Sequence, residues 1–218
     1  MPCALIYENA EIAKKVPAVI DAAHIIGGTQ IQSRASLGGN LCNASPAADS
    51  SPALMALGAR LVLGSSAGTR EVAAEEFFKG PGQNALGAGE MLVQVKVPPQ
   101  PANSGAFYHR FIPRNEMDIA VASAGVRLTL NGSGDRVEAA RIALGAVAAT
   151  PLMVPAAAAA LEGSAPDAAA FARAGEAAAA ACSPITDMRG SIEQRRRLAS
   201  VLTVRALNAA LSRAREGR

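Results

Sequence analysis

The chain has 218 residues, a formal net charge of +3 and half of its residues apolar, which is enough for a buried core. Aromatic residues are scarce and tryptophan is absent, so nucleic-acid bases would find few stacking partners. This composition predicts a globular protein and argues against nucleic-acid binding.

The cysteines and the N-terminal segment bear on cellular location. Cys3, Cys42 and Cys182 are odd in number and widely spaced, so they indicate neither a disulfide framework nor a metal site. The first fifteen residues lack a basic segment followed by a continuous apolar one, and no later stretch is apolar over the length of a bilayer. We expect a cytoplasmic protein that is neither secreted nor inserted into a membrane.

The first half of the chain predicts short helices and strands. Apolar residues at helical spacing predict a helix over 17–26, with Pro17 in its first turn and Gly27 ending it. His24 has no second ligand at suitable spacing, so we interpret it as an ordinary helix residue. The other predicted elements are a helix over 51–57, a hairpin of strands 59–63 and 69–72, a short helix over 74–78 and a strand over 91–97.

The segment 25–49, IIGGTQIQSRASLGGNLCNASPAAD, is dense in small residues. Glycine lets another group approach the main chain closely, so the run Gly38-Gly39-Asn40 can present backbone N–H groups to an anion. Asp49 cannot bind a phosphate, but it can accept hydrogen bonds from ribose or ribityl hydroxyls. The segment therefore suggests a nucleotide-like ligand. A tight turn in a β-rich domain would use the same residues, and neither standard phosphate-loop motif is present.

The second half predicts an antiparallel sheet covered by helices. The proline-rich stretch 98–104 marks a boundary between two predicted domains, 1–100 and 101–218. Short connections between three predicted strands imply antiparallel pairing, and the alanine-rich segments that follow predict three helices on the sheet. The strands span 105–112, 119–130 and 137–147, and the helices span 156–161, 168–181 and 191–213. The predicted fold class is α+β.

Charged residues of the second half are interpreted mainly as structural. The arginine run 195–197 is either a solvated helix face, which we favour, or a docking patch for an acidic partner. His109 and Arg110 are neighbours on a strand and should point to opposite faces. Arg114 and Asp118 are interpreted as an ion pair or a strand-capping pair outside any binding site.

Three ordered segments resemble one family. ASLGGNLCNASPAADSSPALMALGARLVL, from Ala35, resembles the second FAD-binding segment of the flavoprotein (medium) subunits of molybdenum hydroxylases, the family of xanthine dehydrogenase and aerobic carbon monoxide dehydrogenase. FIPRNEMDIAVASAGVRLTL, from Phe111, is similar to the family's segment leading into a strand. PITDMRGSIEQRRRLASVLTVRAL, from Pro184, is similar to its C-terminal helical signature.

The resemblance implies the second half of a PCMH-type (vanillyl-alcohol-oxidase-like) FAD-binding domain, followed by a three-stranded antiparallel sheet with about three helices. The implied cofactor-binding residues are Ser36, Leu37, Gly38, Gly39, Asn40, Asp49, Leu92 and Arg110. The backbone of 36–40 would meet the pyrophosphate and Asp49 the sugar-alcohol part. Leu92 would lie near the isoalloxazine ring, although a core leucine is an equal interpretation. Arg110 would stabilise the reduced ring, or else be a surface strand residue.

The resemblance also implies a function in electron transfer. Substrate would be hydroxylated at a molybdopterin centre in a large subunit, and electrons would pass through [2Fe–2S] clusters of a small subunit to FAD and then to an external acceptor. No paired carboxylates and no Ser-His-Asp arrangement point to other chemistry.

The resemblance implies an additional N-terminal subdomain with an Ala-Gly-Gly-Thr-type loop in family members, and we expect this chain to lack it. The run at 27–29 is similar, but it lies directly before the second segment and is not counted as a substitute. We expect that a separate chain supplies the subdomain or that it is absent. The alternatives are a flavin-free scaffold with an incomplete FAD site, and a stand-alone flavin reductase, which would need a complete site in one chain.

Overall fold

The computed structural model describes residues 1–115 and 117–216. Six short helices open the chain: α1 (Cys3–Tyr7), α2 (Ala10–Lys15), α3 (Pro17–Ala23), α4 (Thr29–Gln32), α5 (Leu37–Cys42) and α6 (Ser50–Ala56). The helix predicted over 17–26 is α3, which ends earlier because the N–H of Ile25 turns to the carbonyl of Ala22, only three residues back. The sequence did not predict α1, α2, α4 or α5, since four to six residues carry too little periodicity.

The predicted hairpin and the following strand form one small sheet. The strands of this region are β1 (Arg60–Ser65), β2 (Gly68–Ala73), β3 (Phe78–Gly80), β4 (Gln83–Asn84) and β5 (Met91–Lys96). β1 pairs antiparallel with β2 on one side and with β5 on the other, while β3 and β4 form a separate pair. The helix predicted over 74–78 is a single 3₁₀ turn, Ala74–Glu76, which runs directly into β3. This sheet and α1, α3 and α6 enclose the first hydrophobic core, where Leu54, Leu61 and Phe77 are fully buried.

The second sheet is antiparallel, as predicted. It contains β6 (Ser104–Phe111), β7 (Ala122–Leu130), β8 (Val137–Gly145) and β9 (Leu152–Met153), paired in that order. The prediction of three strands missed β9, because two residues show no alternation. β7 begins later than the predicted 119, since the N–H of Val121 bonds to the carbonyl of Phe111 and residues before it lie outside the ladder.

Three helices cover this sheet: α7 (Pro155–Ala159), α8 (Ala168–Ala181) and α9 (Ile192–Glu216). They confirm the alanine-rich prediction, and the bounds of α8 are those expected. Ala199, Ala206 and Ala210 of α9 are fully buried, so small side chains let the helix backbone approach the sheet closely. In the described ranges, no helix is both long and apolar enough to cross a bilayer.

The interpretation of 195–197 as a solvated face is wrong for Arg195, which is 4% exposed. Its Nη1 donates to the carbonyl oxygens of Val121 (2.7 Å) and Ala146 (2.9 Å), and its Nη2 donates to Asp187 Oδ1 (2.7 Å). Because each helical residue turns the side chain by about 100°, one member of the run faces inward while Arg196 and Arg197 remain exposed. Arg195 thus ties α9 to the start of β7 and the end of β8.

A second arginine of α9 connects the two halves of the chain. Arg213 donates to both carboxylate oxygens of Asp21 on α3, at 2.7 and 2.9 Å, and to the carbonyl of Ala106 on β6. Its guanidinium also lies 4.5 Å from the centroid of the Phe107 ring. These contacts fix α3 against the first residues of β6, the strand that carries Arg110.

Candidate functional site

The run at Gly38-Gly39 lies in the first turn of α5, where the sequence predicted only a main-chain cradle. Ser36 caps this helix, since its Oγ accepts a hydrogen bond from the N–H of Gly39 at 3.0 Å. The first N–H groups of a helix have no partner within it. The backbone N–H groups of Leu37 and Gly38 therefore point away from the helix and are open to an acceptor.

A cavity of about 850 Å³ lies beside this turn. Its lining includes five of the predicted cofactor-binding residues, namely Ser36, Leu37, Gly38, Gly39 and Leu92. Most of the remaining wall is apolar and comes from α1, α2, α3 and β5, including Ile6, Ile12, Val19 and Val95. The cavity thus combines a small polar backbone surface with a large apolar one, which is typical of a cofactor pocket.

Gly38 keeps one side of this cavity open. A Cβ placed on Gly38 would meet a single neighbour within 4 Å, the Cδ2 of Leu92 at 3.8 Å. A larger side chain there would extend into the cavity, and hydrogen alone leaves the backbone accessible. Gly38 and Leu92 are far apart in the sequence, yet they lie next to each other in the lining of the same cavity.

Asn40 links α5 to the start of α6. Its Oδ1 accepts hydrogen bonds from the N–H of Ser50 at 3.1 Å and from the Ser50 hydroxyl at 2.7 Å. The carbonyl side of this amide is therefore used within the protein, so the amide donors are the part suited to a ligand. The link also fixes the position of Asp49, the residue preceding Ser50.

Asp49 is buried and accepts a hydrogen bond on each carboxylate oxygen. Tyr108 Oη donates to Oδ1 at 2.7 Å, and Arg110 Nη1 donates to Oδ2 at 2.8 Å. Burial raises the pKa of Asp49 to about 6, although the Arg110 charge and both hydrogen bonds oppose that shift. The sequence pointed to Asp49 and Arg110 separately and missed Tyr108. The signal available was spacing, because residues two apart on a strand share a face.

Arg110 is not a surface strand residue, since its side chain is 8% exposed. It lines two further cavities, of about 450 and 200 Å³, both bordered by His24 and Asn115. His109 points the other way, as predicted, and its ring centroid lies 6.1 Å from that of Phe107. The ion pair predicted between Arg114 and Asp118 is present at 3.1 Å.

The eight predicted residues therefore fall into two groups. Five line the large cavity and three do not. Asp49 and Arg110 bond to each other, with Arg110 bordering the two smaller cavities, and Asn40 bonds to Ser50 at the start of α6. In this conformation both oxygens of Asp49 are already hydrogen-bonded to the protein. A ligand hydroxyl would have to share the carboxylate with one of the present donors or replace it.

The buried carboxylate predicts a pH dependence of stability. Folding raises the pKa of Asp49 from 3.8 to about 6, so the folded state binds the proton more tightly. The stability that this proton contributes is present below about pH 4 and lost as pH rises through 6, a change of roughly 3 kcal/mol. Relative to wild type, Asp49→Asn should therefore become more stable by about that amount between pH 4 and pH 6. Urea denaturation of both proteins across this range measures the difference, and a difference that falls with pH contradicts the prediction.

Comparison with known proteins places these residues in a family. Residues 3–100 match the family described as the FAD binding domain in molybdopterin dehydrogenase, and residues 107–210 match the CO dehydrogenase flavoprotein C-terminal domain. The carbon monoxide dehydrogenase medium chain of Afipia carboxidovorans is 34% identical over 204 residues, which is 94% of this chain and 70% of the relative.

Solved structures lead to the same family as the sequence comparisons. A chain of the reconstituted CO dehydrogenase from Oligotropha carboxidovorans superposes with a TM-score of 0.92 at 32% identity, covering 98% of this chain and 73% of that one. A chain of quinoline 2-oxidoreductase from Pseudomonas putida 86 does so with a TM-score of 0.89 at 32% identity and the same coverage. The chain belongs to the FAD-binding medium-subunit family of the carbon monoxide and xanthine dehydrogenases.

Proposed function

We propose that this chain binds FAD and acts as an electron-transfer subunit of a heteromeric molybdenum hydroxylase. The observation that carries the proposal is the large cavity lined by Gly38 and Leu92, which lies within the residues that match the FAD-binding domain. A capped helix turn and an apolar wall suit the pyrophosphate and the ring system of a flavin nucleotide, respectively. We place the boundary between the FAD-binding part and the C-terminal part at residues 100 and 101.

Each residue of the site has a proposed role toward the cofactor. The backbone N–H groups of Leu37 and Gly38 bind the pyrophosphate, with Ser36 and Asn40 adding polar contacts. Gly39 lines the same cavity while its N–H is held by Ser36, and Leu92 contacts the ring. Asp49 accepts hydrogen bonds from the sugar hydroxyls, and Arg110 supplies a positive charge that favours negative charge on the ring. Bound FAD supplies the redox chemistry, so the protein residues bind, orient and electrostatically tune it.

The proposed function also implies the other subunits of the complex. A large subunit would carry molybdopterin, and a small subunit would carry the [2Fe–2S] clusters that deliver electrons to FAD. The complex would work in the cytoplasm. An external acceptor would then receive the electrons.

The test is to purify the chain with its partner subunits and record an absorption spectrum. The proposal predicts flavin bands at about 370 and 450 nm. A complex without flavin would support the scaffold function instead. Titrating FAD into the isolated chain tests the third function, a stand-alone flavin reductase. That function requires tight FAD binding without partner subunits.

A large side chain at position 38 should occupy part of the large cavity, weaken FAD binding and leave the fold intact. Gly38→Leu places a side chain toward Leu92 and into the cavity, and leucine is a better helix former than glycine, so stability should be retained. We expect at least a tenfold loss of FAD affinity, equivalent to about 1.4 kcal/mol, measured by flavin content of the purified complex. Gly132→Leu is the matched control, because a side chain there meets nothing within 4 Å. FAD content equal to wild type in Gly38→Leu would place the cofactor elsewhere.

A further inference from the structure

Tyr108 and Arg110 hold the same carboxylate but differ in how deeply their contacts with it are buried. Tyr108 is 2% exposed, and it is anchored at two points, because its backbone N–H donates to Asp21 at 3.2 Å and its hydroxyl donates to Asp49. Arg110 borders both smaller cavities, and Tyr108 borders the larger of these two. The hydrogen bond from Tyr108 to Asp49 is buried, however, whereas the one from Arg110 is only partly buried, so a ligand reaches the arginine contact more readily.

The two donors also occupy different oxygens of Asp49. Arg110 binds Oδ2 and Tyr108 binds Oδ1, so loss of one contact leaves the other in place. A buried carboxylate that loses its only cation is costly unless another donor remains. The hydroxyl of Tyr108 is a donor that stays when Arg110 moves.

We propose that Tyr108 is a positioning residue for Asp49: it holds the carboxylate in place and ionised while Arg110 exchanges its contact with Asp49 for the ring of the bound flavin. The inference rests on the proposed function for the nature of the ligand. It goes beyond that function by giving Arg110 two alternating partners and Tyr108 a constant one.

The charges around the carboxylate support this assignment. Within the described ranges, the charged and titratable groups that act on Asp49 are Arg110 and Tyr108, both from β6. Burial, and after it the charge of Asp49, raise the pKa of Tyr108 well above its ordinary value, so the phenol keeps its proton and remains a donor throughout the physiological range. Both Tyr108 and Arg110 favour the ionised form of Asp49 over the neutral one.

The test is Tyr108→Phe, which keeps the buried ring and removes one hydroxyl. Tyr7→Phe is the matched control, because Tyr7 is the other tyrosine of the chain and its hydroxyl bonds to Gln32 Oε1 at 3.0 Å. In the full chain without FAD, carbon NMR of the Asp49 carboxyl should titrate at about pH 6 in wild type and at higher pH in Tyr108→Phe. An unchanged titration in Tyr108→Phe, or an equal shift in Tyr7→Phe, overturns the proposal.

A second measurement follows FAD binding to the complex against pH. Affinity should fall as Asp49 becomes protonated, and the midpoint of that fall should move upward in Tyr108→Phe, with about tenfold weaker binding near pH 7. If wild type binds no FAD, the proposed function fails while the carboxyl titration still decides the role of Tyr108. If wild type binds FAD and the variant has the same pH midpoint, the positioning role fails by itself.

Discussion

Replacing Arg195 by alanine is expected to destabilise the protein by about 2–4 kcal/mol, because it removes a buried guanidinium and leaves two buried carbonyl contacts unmade. The guanidinium satisfies the carbonyl oxygens of Val121 and Ala146 and the carboxylate of Asp187. Alanine would leave both carbonyls without this donor at the point where α9 meets β7 and β8. Urea denaturation followed by circular dichroism measures the loss of unfolding free energy.

The neighbouring residue provides the control. Arg197 is on the same helix and is exposed, so Arg197→Ala should change the unfolding free energy by no more than about 0.5 kcal/mol. The two variants remove the same side chain two positions apart. Equal effects would mean that Arg195 has no special structural role, and the hydrogen bonds to Val121 and Ala146 would then contribute little.

The sequence predicted the elements whose length gives a periodic signal. The 14 residues of α8 and the nine of β7 and β8 are long enough for alanine content or alternation to define them. The four helices that were missed have six residues or fewer. One of them, α5, carries the glycine run, so the sequence located the candidate ligand contact but did not identify the helix turn that presents it.

Tertiary contacts account for the other features that the sequence did not predict. Arg195 is buried because one face of α9 lies on the sheet, and a run of three arginines gives no sign of which member faces inward. Asp49 and Arg110 were chosen for separate roles toward a cofactor, yet in the structure they bind each other at 2.8 Å. Their contact depends on how α6 packs against β6, and neither local sequence contains that information.

Adding a methyl group at Gly105 should disrupt the docking of α9 on the second sheet. A Cβ there would lie 2.0 Å from the carbonyl oxygen of Ala210 and 2.5 Å from the backbone nitrogen of Ala214. These are backbone atoms of a helix and cannot rotate away as a side chain would, so α9 must shift as a whole. We expect Gly105→Ala to cost about 3 kcal/mol or more, at the upper end of overpacking effects.

Hydrogen exchange distinguishes this mechanism from a general loss of stability. Amides of α9 should exchange faster in Gly105→Ala, because a helix displaced from the sheet loses the packing that protects it. Gly132→Ala makes the same chemical change where the new methyl meets nothing within 4 Å, and should stay within about 0.5 kcal/mol of wild type. If Gly105→Ala is as stable as that control, α9 and β6 are not in direct backbone contact. Arg213, which joins the same helix to Asp21 and Ala106, would then be the principal link between α9 and the strand that carries Arg110.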